Sequence, residues 1–318
     1  MRVVFCGSGG FAIPSLRAIV ASSHELVGIV TQPARPAGRG GHLRPTPVFQ
    51  AAAEMGRAAV ECANINVAEG VELVAGLQPD VIAVADFGQL IRKAVRDLPP
   101  AGSFNLHGSL LPQLRGAAPV NWAIILGQKV TGVTTFALVA KMDAGDIYLQ
   151  AATDIQPAET AEELRVRLAE LGAPLVVRTL DLLAAGGAKP RPQQESQATF
   201  ARPLTKADGR INWSADAATI RNRVHGTWPW PAARSLFRRK GGREQAVTLV
   251  RAEVAEGHVS TPAGMVDGKG AVSTGGGRLR ILEIQPAGGR VMTWRDFVNG
   301  YRVAEGDRFL SIAPAKEK

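Results

Sequence analysis

In the stretch "SFNLHGSLLPQLRGAAPVNWAI", residues 103–124, an amide and an imidazole stand two positions apart at the end of an apolar run, as Asn105 and His107. Alternation along a strand sends both side chains out of the same face. Thirty-six residues after His107 the segment "KMDAGDI" supplies a carboxylate, Asp143, which is expected at the carboxyl end of the neighbouring strand. An amide donor, an imidazole and a carboxylate above one sheet edge suit acyl transfer without a covalent intermediate. Asn105 can donate to a developing oxyanion, His107 can donate or shuttle a proton, and Asp143 can orient and charge the ring. Each residue also has an ordinary explanation: Asn and His cap turns, and Asp143 is one more loop acid. Gly108-Ser109 allows a sharp exit from the strand, and Leu110-Leu111-Pro112 would make an apolar wall beside it.

The elements that must position these groups are legible as periodicity. "RVVFCG", "LVGIVTQ", "VIAVADF", "GSFNLH" and "TGVTTFAL" are strand candidates. Helix candidates lie at 14–22, 47–56, 66–77, about 89–96, 117–126 and 160–185. Short continuous apolar strands alternating with helices predict a Rossmann-like α/β domain with a parallel sheet covered on both faces. Ligands of such sheets sit outside the carboxyl ends of the strands. Residues 186–205 are rich in Pro, Gln and Ser without an apolar period, and predict a linker along a surface. Beyond it come one helix, "SADAATIRNRVHG" with Ser214 as its expected N-cap, and short segments separated by Gly clusters. These predict a smaller antiparallel β-barrel, OB-like, with a capped helix at Thr293-x-x-Asp296 near the end. The expected division is 1–188 for the α/β domain, 189–205 for the linker and 206–318 for the barrel.

The turn "GSGGFA" at residues 7–12 matches G-x-G-x-x-A, a dinucleotide-binding pattern, but no Asp or Glu follows between Glu25 and Glu54 to hold a ribose. The turn is therefore read as a tight passage from strand to helix. The loop "TQPARPAGRGGHLRPTP" is long for its place and carries Arg35, Arg39 and Arg44, cations able to reach phosphates. The chain of 318 residues has a formal net charge of +9. Residues 1–204 hold 18 Lys+Arg against 17 Asp+Glu, whereas residues 205–318 hold 19 against 11. That concentration is the footprint of a polyanionic partner, although solvated surface basicity would look the same. Cys6 and Cys62 have no paired spacing, and the five histidines have no companion motif, so neither a disulfide nor a metal site is expected. No apolar run approaches the ~20 residues of a membrane helix, and no leader-like segment opens the chain, so a cytoplasmic location is expected.

"FNLHGSLLPQLRGAAPVNWAI" together with "MDAGDI" resembles the folate-dependent formyltransferases. "VTQPARPAGRGGHLRPTPV", "TFARPLTKADGRINWS" and "LEIQPAGGRVMTWRDFVNG" extend the resemblance over residues 1 to about 302, toward the branch that formylates a charged transfer RNA. The chain departs from that pattern at Ser8-Gly9-Gly10, Asp86-Phe87, Asn212 and Trp228. The resemblance implies a formyl transfer from 10-formyltetrahydrofolate, a cosubstrate, to initiator methionyl-tRNA, by a metal-free monomer with Asn105, His107 and Asp143 as catalytic residues. It places the folate against Ser109, Leu110, Leu111 and Pro112 with Leu90 beside the pteridine. It places the RNA on Arg39, with Arg35 and Arg44 nearby, and on Lys206 and Arg210. The alternative it leaves open is a sugar nucleotide or purine precursor as acceptor.

Overall fold

Arg2–Gly7, apolar after its first residue, forms the buried strand β1, and everything in the first half of the chain is arranged about it. The computed structural model describes residues 1–37, 42–257 and 261–312. These divide into two compact units.

The first unit comprises Met1–Pro119, Val130–Asp154 and Arg165–Ala201. β1 pairs in parallel with β2 (Glu25–Thr31) on one side and with β6 (Val81–Ala85) on the other. Beyond β2 lies β5 (Val60–Glu61), and β7 (Ser103–His107) follows β6, both parallel. The sheet is then completed by β8 (Val130–Ala137) and β9 (Ile147–Asp154), giving the order β5-β2-β1-β6-β7-β8-β9. Both last pairings are antiparallel. The apolar run "TGVTTFAL" is thus a strand as expected, but it runs antiparallel to its neighbours on both sides. Burial on both faces gives a strand the same continuous apolar run in either direction.

The helices α1 (Ile13–Ala21), α2 (Pro47–Glu54), α3 (Ala68–Gly76) and α6 (Ala161–Ala184) fall where periodicity places them. Thr46 caps α2 by accepting from the Phe49 amide. α4 is shortened to Lys93–Arg96, with Arg92 extended before it and the Asn66 side chain bonding to the Leu90 carbonyl and the Arg92 amide. The Arg-rich loop contains a hairpin of β3 (Arg35–Ala37) and β4 (His42–Arg44).

The second unit gathers the chain from Arg202 onward with Val120–Lys129 and Ile155–Leu164. Its strands β10 (Ala233–Arg238), β11 (Glu244–Ala255), β12 (Val272–Ser273), β13 (Arg278–Pro286) and β15 (Arg308–Leu310) run antiparallel in the order β12-β13-β11-β10-β15. β14 (Met292–Thr293) pairs with β13. Met265 bridges to Arg308 on β15 and Val266 to Val272 on β12, so one short segment joins the two edges into a nearly closed barrel. Closure removes exposed edges. Alternate residues of β10 and β11 fill the interior around Trp213, Phe237, Phe297 and Phe309, with the rings of Phe237 and Phe309 5.2 Å apart.

Thr293 caps α8 (Trp294–Tyr301), as its spacing predicts. α7 (Ala217–Gly226) begins later than expected, with Asp216 as N-cap in place of Ser214. Asn212 accepts from the Ser214 amide, and Gly276 carbonyl accepts from Ala217, which holds the chain extended for two further residues. α5 (Pro119–Ile125) sits against α7, where Gly226 leaves no room for a side chain: a Cβ there would lie 2.5 Å from Ile125.

Three groups in the second unit resist protonation. Burial, reinforced by Arg251 and Arg221, pushes the His225 imidazole down to about 4, and its Nε2 accepts from the Ala252 amide. Hydrogen bonds from Arg202 hold Asp208 at about 2, and those from Arg251 hold Glu163 at about 2. Each binds its proton more readily in the unfolded chain. Stability is therefore full above about pH 6.5, falls toward pH 4 through His225, and falls again toward pH 2 through the carboxylates. Thermal melts across this range are expected to show both slopes, and His225→Phe to flatten the upper one alone.

Candidate active site

β7 carries Asn105 and His107 toward its carboxyl end, on one face. Asn105 lies in register between Val84 of β6 and Phe136 of β8. It is half-buried, and its amide has no side-chain hydrogen bond among the described residues, so both of its N–H donors are available. His107 is buried, edge-on to the Phe136 ring. Its Nε2 lies 2.9 Å from the Leu114 carbonyl and its Nδ1 3.9 Å from Asp143 Oδ2. The first contact requires a proton on Nε2, and the second sets a carboxylate beside Nδ1. Both ring nitrogens face protein oxygens, so the free donors in this cluster are those of Asn105.

Asp143 reaches His107 by a different route from the one expected. Because β8 is antiparallel, its carboxyl-terminal Ala137 lies opposite Phe104, near the start of β7. Asp143 stands on the loop that follows, which turns back toward His107. Its Oδ2 accepts from the Gly116 amide at 2.7 Å. The loop is held in turn by Gln193, whose Nε2 donates to the Asp143 and Gly145 carbonyls. Asp143 and Leu114 are both in the left-handed region, at φ 51° and 57°. Such conformations cost of order 1–3 kcal/mol each and persist where the surroundings over-determine them.

The expected apolar wall divides in two. Leu111 turns inward and packs with Phe136 and Ile147, while Leu110 and Pro112 remain half-buried. The backbone of this loop hangs on one buried hydroxyl. Thr134 Oγ1 donates to the Ser109 carbonyl (2.7 Å) and accepts from the Leu111 amide (3.1 Å) and from Gln150 Nε2 (3.0 Å). Ser109 Oγ donates to the Gln113 carbonyl. Leu90 is 63% exposed on the segment after β6.

The glycine turn makes no cradle. Its Ser8 and Gly9 amides both donate to the Asp86 carbonyl at 3.0 Å, so they are not free for a pyrophosphate. A Cβ on Gly9 would lie 2.0 Å from Asp86 Oδ2, which is why glycine stands there.

Arg35 and Arg44 are exposed and directly opposite each other across the β3–β4 hairpin. Arg39 lies outside the described residues. In the second unit Lys206 is exposed, and Arg210 is half-buried in a bridge with Arg234. Among the described residues no three His, Cys, Asp or Glu side chains cluster to hold a metal, and no helix is long and apolar enough to cross a membrane.

Thr134, Gln150, Arg115 and Gln193 support the site and were not singled out from sequence. Two consecutive threonines inside the apolar strand "TGVTTFA" were the one available signal, since a buried hydroxyl needs partners. Thr134→Val is expected to leave the Leu111 amide without its acceptor and to cost about 1–3 kcal/mol, measured by urea unfolding.

Two family models match the chain in succession. Residues 1–180 match the formyl transferase family model, and residues 203–302 match that of the formyl transferase C-terminal domain. A methionyl-tRNA formyltransferase of Solibacter usitatus is 41% identical over 311 residues, covering 97% of this chain and 98% of the relative. One from Acidobacterium capsulatum is 42% identical over 313 residues, covering 97% and 99%. Among solved structures, HypX from Aquifex aeolicus in complex with tetrahydrofolic acid shares the fold, with a TM-score of 0.63 at 19% identity over 95% of this chain. This chain spans about half the length of HypX, 47%.

Proposed function

Since the chain belongs to the formyl transferase family, among the methionyl-tRNA formyltransferases, we propose that it transfers the formyl group of 10-formyltetrahydrofolate to the α-amino group of initiator methionyl-tRNA. The observation that carries this reading is the convergence of an unpaired amide, a buried imidazole and a carboxylate at the end of β7.

The attacking amine must be neutral, and α-amino groups titrate near ~8. Its lone pair forms a bond to the formyl carbon, and the carbonyl π electrons move onto oxygen. Asn105 donates to that oxyanion, and the imidazolium of His107 adds positive charge nearby. Asp143 keeps His107 charged. Its Oδ1 makes no hydrogen bond among the described residues, and it receives the amine proton directly or through water. Collapse breaks the bond from the formyl carbon to the folate nitrogen, which leaves with the proton that Asp143 took from the amine. Ser109, Leu110, Leu111 and Pro112 offer backbone and apolar surface to the folate, with Leu90 as a pteridine neighbour.

Residues 1–188 would carry the chemistry and 206–318 would hold the RNA, joined by 189–205, in a cytoplasmic monomer. Arg35 and Arg44, with like charges facing across a hairpin, are placed as an anion would require, and Arg39 stands on the same loop. Lys206 and Arg210 would meet phosphates from the second unit. A sugar nucleotide or a purine precursor carries too few phosphates to need cations on both the loop and the second unit.

A formyl-transfer assay with 10-formyltetrahydrofolate and initiator methionyl-tRNA tests the reading. Asn105→Ala is expected to lose about 10²–10³ in turnover while still binding folate, and His107→Ala to abolish formylation. Near-normal turnover in either variant would remove that residue from the mechanism. RNA affinity should fall steeply with salt, and Arg35→Ala/Arg44→Ala should weaken binding and shallow the salt slope by about 1–2. A flat salt response would exclude phosphate contacts as the source of affinity.

A further inference from the structure

We infer that Gln193 is a positioning residue for formyl transfer, setting the backbone of the loop that presents Asp143 to His107. The inference rests on the role proposed for Asp143.

Arg115 is 1% exposed, and its guanidinium cannot lose its charge. Its Nε and Nη2 both donate to Gln193 Oε1, at 3.0 and 2.9 Å, and its Nη1 donates to Glu195 at 3.0 Å. Arginine has donors only, so Gln193 must turn its carbonyl toward Arg115. Its amide nitrogen must then face the other way, where it finds the carbonyls of Asp143 (2.8 Å) and Gly145 (2.7 Å). The polarity of Arg115 thus dictates which end of Gln193 meets the loop.

The loop needs that hold. Asp143 is left-handed, and the backbone at Gly145 comes so close to β8 that a Cβ there would sit 1.7 Å from the Ala137 carbonyl. Gln193 itself is anchored by neighbours. Arg191 and Ile147 exchange backbone hydrogen bonds at 2.8 and 2.9 Å, and Lys141 of the same loop pairs with Glu195. Gln193 touches no reacting group. It acts by fixing where the Asp143 carboxylate stands relative to His107, and misplacements of about 1 Å in such groups cost of order 10²-fold in rate.

Gln193→Glu separates this from general support of the fold. It keeps the size and the acceptor that Arg115 requires, but it replaces the donor with an oxygen facing two carbonyl oxygens. Turnover per folded molecule is expected to fall about 10- to 100-fold, with tetrahydrofolate affinity within twofold. Gln193→Ala should lose a similar factor. Combined with Asp143→Asn, Gln193→Glu should cost nothing further, because both act through one group.

Full turnover in Gln193→Glu beside an impaired Asp143→Asn overturns the inference alone. So does a loss that adds fully to that of Asp143→Asn. If both Gln193 variants melt early yet turn over normally per folded molecule, the residue is structural only and the inference fails. Full turnover in Asp143→Asn overturns the role of Asp143, and with it the route by which Gln193 would act.

Discussion

A guanidinium removed from water must have its N–H groups answered, and the buried Arg115 imposes that demand on the loop after β7. Gln193 and Glu195 answer it. In doing so they draw the segment between α6 and the second unit down onto the loops after β7 and β8. The same segment supplies Thr199, whose hydroxyl accepts from the Leu114 amide and whose carbonyl accepts from Arg115. Leu114 in turn offers its carbonyl to His107. A stretch with the composition of a linker is therefore part of the wall of the site.

The second constraint is the reversal of strand direction between β7 and β8. In a fully parallel sheet the neighbour of His107 would be a residue on another strand entering from a helix. Here Thr134 lies opposite His107 in antiparallel register, and its hydroxyl is spent on the loop at Ser109 and Leu111. A second reversal, between β8 and β9, lets those two strands be joined by one loop, the one that carries Asp143. Imidazole, carboxylate and the loop at 109–112 are thus brought together by two changes of direction.

In the second unit several basic residues are paired within the protein. Arg251 bonds to Glu163 and Glu283, Arg278 to Asp267, Arg280 to Glu253, and Arg202 to Asp208 while lying 4.9 Å above the Trp122 ring. Such pairs consume acids and bases alike, so the excess of bases over acids remains for a polyanion. Exposed groups such as Lys206 carry that capacity, and pairing decides which they are.

Much of this was legible in the residues themselves. Predominantly apolar runs located β1, β2, β6, β7 and β8, because burial on both faces leaves few polar positions. The two-residue spacing of Asn105 and His107 placed them on one face, since pleating alternates every residue. Thr293 and Asp296 marked a helix start, because a cap is satisfied within four residues. Ser214 misled for the opposite reason: Gly276, far along the chain, accepts the Ala217 amide and delays the helix to Asp216. β9, partly exposed along most of its length, lacked a clean alternation. Sequence alone thus determined which segments could be strands and helices and which side chains could do chemistry together, since those follow from interactions within a few residues. Tertiary structure decided the direction of β8, the approach of Asp143 and the hold of Gln193. Those depend on hydrogen bonds between groups 50 and 78 residues apart, whose partners no local pattern marks.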